Sequence, residues 1–129
     1  MATYLDSSAI VKLAVRERES LALRRYLRRR QPLVSSALVR TEVLRALLPA
    51  GEEAVARGRN VLQRLDLVRL NGRILDTAGV LLPPELRSLD AIHLATAREL
   101  GDDLRVIVTY DDRMAAAAKQ LGYRIGRPR

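Results

Sequence analysis

The chain has 129 residues, no cysteine, 48% hydrophobic residues and a formal net charge of +8. This length and composition predict one globular domain over residues 1–129 in a reducing cytoplasm, and they exclude a disordered chain, a disulfide scaffold, cysteine-bound zinc and a membrane span. The excess of basic residues, almost all of them arginine, favours a polyanionic partner, although solvated surface arginines would give the same excess.

Short apolar strands alternate with helices along the whole chain. The predicted strands cover 2–5, 33–35, 67–70, 105–110 and 123–125. The predicted helices cover 9–16, 17–30, 37–48, 52–65, 72–82, 89–100 and 112–121, and the last three residues are predicted to form a loose tail. This alternation predicts an α/β fold in which helices cover both faces of a parallel sheet.

Two acids follow directly on predicted strands. Asp6 ends the first strand, and Asp111 comes immediately after the run RVIVTY. Ligands of α/β sheets bind at the carboxyl ends of the strands, where the strand order reverses. We therefore expect both carboxylates at the ligand-binding edge of the sheet.

Two further acids lie on apolar faces of predicted helices. Residues three and four apart share a helix face, so Glu42 lines up with Val39, and Asp90 lines up with His93 and Leu94. An unpaired carboxylate that faces a core is costly. These two positions therefore indicate a role for the charge, or an ion pair with a nearby arginine.

A divalent cation explains the four acids together better than four separate ion pairs do. Carboxylates at one point repel one another, and an oxygen-only ligand set favours Mg²⁺ or Mn²⁺ over zinc. The sequence predicts Asp6, Glu42, Asp90 and Asp111 as the catalytic and metal-binding residues. Glu42, whose side chain is longer, either reaches the metal through water or orients the attacking water.

Hydroxyl groups adjoin two of these acids. Thr109 precedes Asp111, and Ser7 follows Asp6, so both are predicted to hydrogen-bond a carboxylate or a phosphate. Strand propensity and helix capping would explain them nearly as well. His93 is the only histidine, which excludes a two-histidine zinc site, and we interpret it as a packing or hydrogen-bonding residue.

A magnesium site in a basic protein predicts phosphodiester hydrolysis. Bound metal activates water and stabilises charge that develops on phosphorus, and Mg²⁺ prefers phosphate oxygens to complete its shell. Arg24, Arg25 and Arg28 crowd one predicted helix and are the first candidates for RNA contacts. A solvated helix face is an equally good explanation of them.

Four segments resemble the PIN domain, most closely its VapC-type toxin branch. In chain order they are YLDSSA, TEVLRA, SLDAIHLATA and TYDDRMAAAAKQLG. The resemblance implies a three-layer α/β fold with a parallel sheet of four or five strands. It also implies an Mg²⁺- or Mn²⁺-dependent endoribonuclease that forms a homodimer and is inhibited by a cognate VapB-like antitoxin.

The family motifs carry over residue by residue. They fall on Asp6, Glu42, Asp90 and Asp111, Thr109 takes the hydroxyl position, and Asp112 lies one residue beyond the usual acid. A phosphoacceptor receiver domain would need adjacent acids after its first strand, and an aspartate-nucleophile phosphatase would need an acid two residues after Asp6. The remaining alternative is a PIN-like module that binds RNA or protein without cutting.

Overall fold

Five parallel strands form the centre of the protein. The computed structural model describes residues 1–129, and its strands are β1 (Ala2–Leu5), β2 (Leu33–Ser36), β3 (Asp66–Val68), β4 (Leu104–Val108) and β5 (Ile125–Gly126). Their order across the sheet is β3-β2-β1-β4-β5, and every neighbouring pair is parallel. The predicted α/β fold with a parallel sheet is confirmed.

Seven helices flank the sheet: α1 (Ser7–Ala14), α2 (Ser20–Leu27), α3 (Val39–Leu47), α4 (Glu52–Gln63), α5 (Gly72–Gly79), α6 (Ser88–Arg98) and α7 (Asp112–Gln120). Short 3-10 turns cover Leu48–Ala50 and Gly101–Asp103. The second helix starts later than predicted because the Ser20 hydroxyl accepts a hydrogen bond from the Glu17 amide and holds the preceding residues in a turn. None of these helices has both the length and the apolar character to cross a membrane.

The core lies on both faces of the sheet. Successive strand residues point to opposite faces, so Leu5 packs with Ile10 and Val43 on one side, whereas Tyr4 packs with Met114 on the other. The first side is covered by α1, α2, α3 and α4, and the second by α6 and α7. The result is the three-layer arrangement that the family resemblance implies.

One glycine sets the spacing between α3 and α4. A Cβ atom added to Gly58 would lie only 2.5 Å from Cδ1 of Leu47. Gly58 and Leu47 are both buried, so the two helices approach more closely than any larger residue would allow. This contact fixes α3, the helix that carries Glu42.

The strand order reverses on either side of β1. From this central strand the chain runs outward through β2 and β3 on one side, and later through β4 and β5 on the other. The carboxyl ends of β1 and β4 therefore open into the crevice where such folds bind ligands. Asp6 follows β1, and Asp111 lies shortly after β4.

The C-terminal tail is fixed to this same edge rather than loose as predicted. The Tyr110 hydroxyl donates to the Pro128 carbonyl over 2.7 Å, and Arg127 Nε donates to the Thr109 carbonyl over 3.1 Å. The prediction of a loose tail was wrong because it considered composition alone. The Thr109 carbonyl and the Tyr110 hydroxyl, both just after β4, are the partners that hold the tail.

Candidate active site

Asp6 is buried, and its carboxylate is hydrogen-bonded on both oxygens. Oδ1 accepts the Ala9 amide over 3.1 Å, which caps α1, and also accepts the Ser8 hydroxyl over 2.6 Å. Oδ2 accepts the Thr109 hydroxyl, which joins the ends of β1 and β4. Asp6 is only 5% exposed, and this burial raises the pKa of its carboxyl although all three hydrogen bonds oppose the rise.

Ser8, rather than the predicted Ser7, is the serine that contacts Asp6. The Ser8 hydroxyl also accepts the Tyr110 amide over 2.9 Å, so it links α1 to the segment after β4. Ser7 makes no side-chain hydrogen bond. Both serines fit the sequence pattern, but the N-cap geometry of Asp6 turns only the second one towards the carboxylate.

Asp111 is the N-cap of α7. Its Oδ1 accepts the amides of Arg113 and Met114 over 2.9 and 3.1 Å, and its own amide donates to Thr109 Oγ1 over 3.1 Å. The hydroxyl of Thr109 thus contacts both predicted strand-end acids. Oδ2 of Asp111 takes no part in this helix cap and instead accepts a hydrogen bond from Nη2 of Arg87 over 3.2 Å.

Arg87 lies between Asp90 and Asp111. Its Nε is 3.3 Å from Oδ2 of Asp90, and its Nη2 is 3.2 Å from Oδ2 of Asp111. Burial, and then the neighbouring carboxylate of Asp111, raise the pKa of Asp90, although Arg87 opposes them. Two carboxylates from different helices are therefore close enough to share one cation.

Glu42 lies at the edge of the buried face of α3. Its Oε1 accepts from Nε2 of His93 over 2.6 Å, and Nδ1 of the same ring lies 2.7 Å from the Tyr4 hydroxyl. The pattern that placed Glu42 and His93 on inward helix faces gave no sign that the two helices meet. Ser8, Arg87 and His93 are the site residues whose contacts the sequence did not predict.

The carboxylates lie along one edge of the sheet but do not converge on one point. No group of three acids or histidines is arranged to hold a metal ion as the side chains stand. The donor chemistry nevertheless fits a hard divalent cation, because Asp6, Asp90 and Asp111 offer only carboxylate oxygens. The guanidinium of Arg87 occupies the position of a cation between two of them.

Asp112 points away from these acids. Its side chain is 91% exposed, and Oδ1 accepts from Arg127 Nη1 over 2.6 Å. This hydrogen bond from Arg127 lowers the pKa of the Asp112 carboxyl. The structure therefore separates Asp112 from Asp111, its neighbour in sequence.

The three arginines predicted to contact RNA lie at the opposite edge of the sheet. Arg24 Nη2 donates to the Leu13 carbonyl near the end of α1, whereas Asp6 caps the start of that helix. Arg24 and Arg28 line a cavity with Leu33, the first residue of β2. Arg25 belongs to the same helical turn of α2, so none of these arginines adjoins the carboxylates.

The model of the PIN domain family matches residues 3–120. Ribonuclease VapC46 of Mycobacterium tuberculosis is 66% identical over 127 residues, which cover 98% of each chain. Ribonuclease VapC35 of the same species is 42% identical over 129 residues, covering 97% of this chain and 96% of that protein.

Two solved structures share the fold. The crystal structure of Mycobacterium tuberculosis VapC20, a toxin that cleaves the sarcin–ricin loop, has a TM-score of 0.78 at 18% identity and covers 98% of this chain and 99% of its own. The VapBC-1 structure from nontypeable Haemophilus influenzae has a TM-score of 0.68 at 14% identity, with 98% of both chains covered. At these identities the likeness concerns the fold alone.

Proposed function

This chain belongs to the PIN-domain family, in its VapC ribonuclease branch, and from this premise we propose that it cuts RNA with a divalent metal ion bound by carboxylates. One observation carries the proposal: Asp90 and Asp111 share a single guanidinium, that of Arg87. The ion pairs with Arg87 and the capping of α7 by Asp111 account for each acid singly, but neither gives a reason for two acids to adjoin at the ligand-binding edge of the sheet. A cation that both of them bind during the reaction supplies that reason.

The proposed ligands of Mg²⁺ or Mn²⁺ are Asp6, Asp90 and Asp111. When bound, such an ion lowers the pKa of water and stabilises charge that develops on the scissile phosphate. Ser8 and Thr109 hold the Asp6 carboxylate in place, and Thr109 also accepts the amide of Asp111. This support fixes two acids relative to each other before any ligand arrives.

Glu42 orients the attacking water in this proposal. His93 occupies one oxygen of its carboxylate, and the other makes no hydrogen bond to the protein. A carboxylate with one oxygen anchored and one open is suited to accept a hydrogen bond from water. Glu42 therefore acts beside the metal ligands rather than as one more of them.

The net charge of +8 supports RNA as the substrate, because phosphate contacts provide most of the affinity for nucleic acids. The structural neighbour from Haemophilus influenzae is a VapBC structure, and this supports a cognate antitoxin as the inhibitory partner.

We propose a homodimer as well. Sedimentation equilibrium of the isolated chain should then give twice the monomer mass of 14.4 kDa.

The decisive experiment is cleavage of structured RNA with Mg²⁺, with Mn²⁺ and with EDTA. EDTA, Asp6→Asn and Asp90→Asn should each abolish cutting while RNA binding, measured by fluorescence anisotropy, persists. Asp76→Asn, an exposed acid on α5, is the matched control and should cut normally. Wild-type protein that binds RNA without cutting it would instead support the non-catalytic module.

A further inference from the structure

We propose that His93 is a positioning residue that holds Glu42 for the reaction. Tyr4 fixes the ring tautomer in which Nε2 of His93 donates to Glu42. The inference rests on the proposed role of Glu42 in orienting water. It adds two buried residues, Tyr4 and His93, that make no hydrogen bond to the proposed metal ligands Asp6, Asp90 and Asp111.

Three elements contribute one side chain each to this chain of hydrogen bonds. Tyr4 lies on β1, His93 on α6 and Glu42 on α3. The Tyr4 hydroxyl is 2.7 Å from Nδ1, and Nε2 is 2.6 Å from Oε1 of Glu42. His93 is 2% exposed and Tyr4 is fully buried, so water cannot replace either partner.

The partners determine which ring nitrogen carries the hydrogen. A carboxylate only accepts, so Nε2 of His93 must donate to Glu42. The Tyr4 hydroxyl makes no hydrogen bond other than that to Nδ1, and a buried hydroxyl is expected to use its proton. Nδ1 is therefore the acceptor and carries no hydrogen.

No neighbouring hydroxyl donates a hydrogen bond to the Tyr4 oxygen. The nearby hydroxyls of Ser35 and Thr96 donate their own protons to the carbonyls of Leu5 and Ile92, over 2.5 and 2.7 Å. Burial raises the pKa of Tyr4 well above its usual value, which keeps the hydroxyl protonated. Because Nδ1 of His93 is its hydrogen-bond partner, Tyr4 donates to that nitrogen, and the ring presents a single N–H to Glu42.

This arrangement has a purpose beyond packing. A leucine would fill the same space between β1 and α6 without any polar group to satisfy, whereas a buried imidazole is costly unless both nitrogens are bonded. Here both bonds exist, and one of them ends on the acid whose orientation the reaction needs. Outer-shell hydrogen bonds of this kind orient functional carboxylates in metal sites.

The tautomer can be tested directly because the protein has one histidine. Long-range ¹⁵N–¹H correlation spectra of ¹⁵N-histidine-labelled, metal-free wild-type protein should show Nε2 protonated and Nδ1 bare. In Tyr4→Phe, the alternative tautomer should become detectable. A wild-type ring protonated on Nδ1, alone or on both nitrogens, would overturn the assignment whether or not the variants fold.

The positioning role is tested by kinetics. His93→Leu should lower kcat by about 10- to 100-fold, the range for outer-shell residues, with KM unchanged. His93→Gln should restore most of the lost rate, because its amide N–H donates from nearly the same position. The matched control is Thr3→Val, which removes a buried hydroxyl on β1 that donates to the Arg30 carbonyl, outside this chain of hydrogen bonds, and should leave kcat unchanged.

The outcomes separate this inference from the proposed function. If Asp6→Asn and Asp90→Asn are inactive but folded His93→Leu keeps the wild-type kcat, the positioning role is refuted and the nuclease proposal stands. Folded His93→Gln that is as slow as His93→Leu would also refute it. If Asp6→Asn and Asp90→Asn both cut RNA normally, the proposed function itself fails.

Discussion

Nη2 of Arg87 lies 3.2 Å from Oδ2 of Asp111, while Nε of the same guanidinium contacts Asp90. The side chain of Arg87 is 55% exposed, so it can leave this position for water without disturbing the core. A divalent ion bound by these two acids must displace it. In the proposed function, Arg87 therefore competes with the metal ion for these two carboxylates.

Replacing Arg87 by glutamine should strengthen metal binding. Two partly exposed ion pairs contribute about 1 kcal/mol together, which corresponds to about a fivefold change in affinity. Isothermal titration of EDTA-stripped protein with Mn²⁺ measures the difference. The control is Arg73→Gln, which removes an arginine paired with Glu99 away from the site and should leave the affinity unchanged. Unchanged or weaker Mn²⁺ binding by Arg87→Gln would contradict the expectation.

Asp6→Asn should stabilise the metal-free protein near neutral pH. Burial raises the pKa of Asp6 in the folded state, so the folded chain binds more protons than the unfolded chain between the two pKa values. The free energy of unfolding therefore falls as the pH rises through this window, and it stays lower above it. Asparagine keeps the cap of α1 without the charge, and a gain of about 1 kcal/mol is typical of such a change.

Urea unfolding in EDTA at pH 7 and at pH 3 measures this effect. Wild type and Asp6→Asn should differ at pH 7 and converge at pH 3, where the wild-type carboxyl is protonated. Asp6→Ala serves as the comparison, because it also loses the hydrogen bond from the Ala9 amide and with it about 1 kcal/mol. If Asp6→Asn is no more stable than wild type at pH 7, burial does not destabilise the charged form of the Asp6 carboxyl.

Thr109→Val should slow RNA cleavage without altering the packing of the core. Valine has nearly the shape of threonine, but it removes the hydroxyl that donates to Asp6 and accepts the Asp111 amide. We expect RNA cleavage to slow by about 10-fold or more, the range for residues that orient metal ligands. Thr109→Ser keeps the hydroxyl and should remain close to wild type in the same gel-based assay. Equal rates for Thr109→Val and wild type would assign Thr109 to packing alone.

Arg24 and Arg28 should influence the binding of long RNA but not the chemistry. They lie at the amino end of the sheet, across the domain from Asp6, so only an extended substrate could reach both places. Arg24→Glu with Arg28→Glu should reduce the slope of log affinity against log salt by roughly 0.7 for each lost phosphate contact with single-stranded RNA. Cleavage of a short oligonucleotide should not change. An unaltered slope would remove this face from the RNA-binding surface.

The sequence predicted those features that depend on neighbours along the chain. Asp6 and Asp111 follow apolar, β-branched runs, so their position at the carboxyl edge follows from the residues directly beside them. The alternation of strands and helices predicted the parallel sheet for the same reason. The limits of the third strand were less accurate because Asp66, which begins it, is an exposed acid at the edge of the sheet.

Contacts between distant segments could not be predicted in this way. Nothing near Glu42 in sequence indicates that His93 will meet it, since the contact depends on how α3 and α6 pack across the sheet. The same holds for Arg87. Nothing in the sequence distinguishes it from the other arginines, because its contact with Asp111 depends on the folded structure. The fixed C-terminal tail belongs to this class as well.

The order of synthesis matters for a sheet in which β1 is central. Asp6 emerges first from the ribosome, but its partner Thr109 comes 103 residues later, followed by Asp111. Until that segment is made, the first strand lacks β4 as a neighbour and the carboxylates have no common edge. A nascent chain that has not yet reached Thr109 and Asp111 therefore lacks the assembled site, and the proposed nuclease can form only after that segment has been translated.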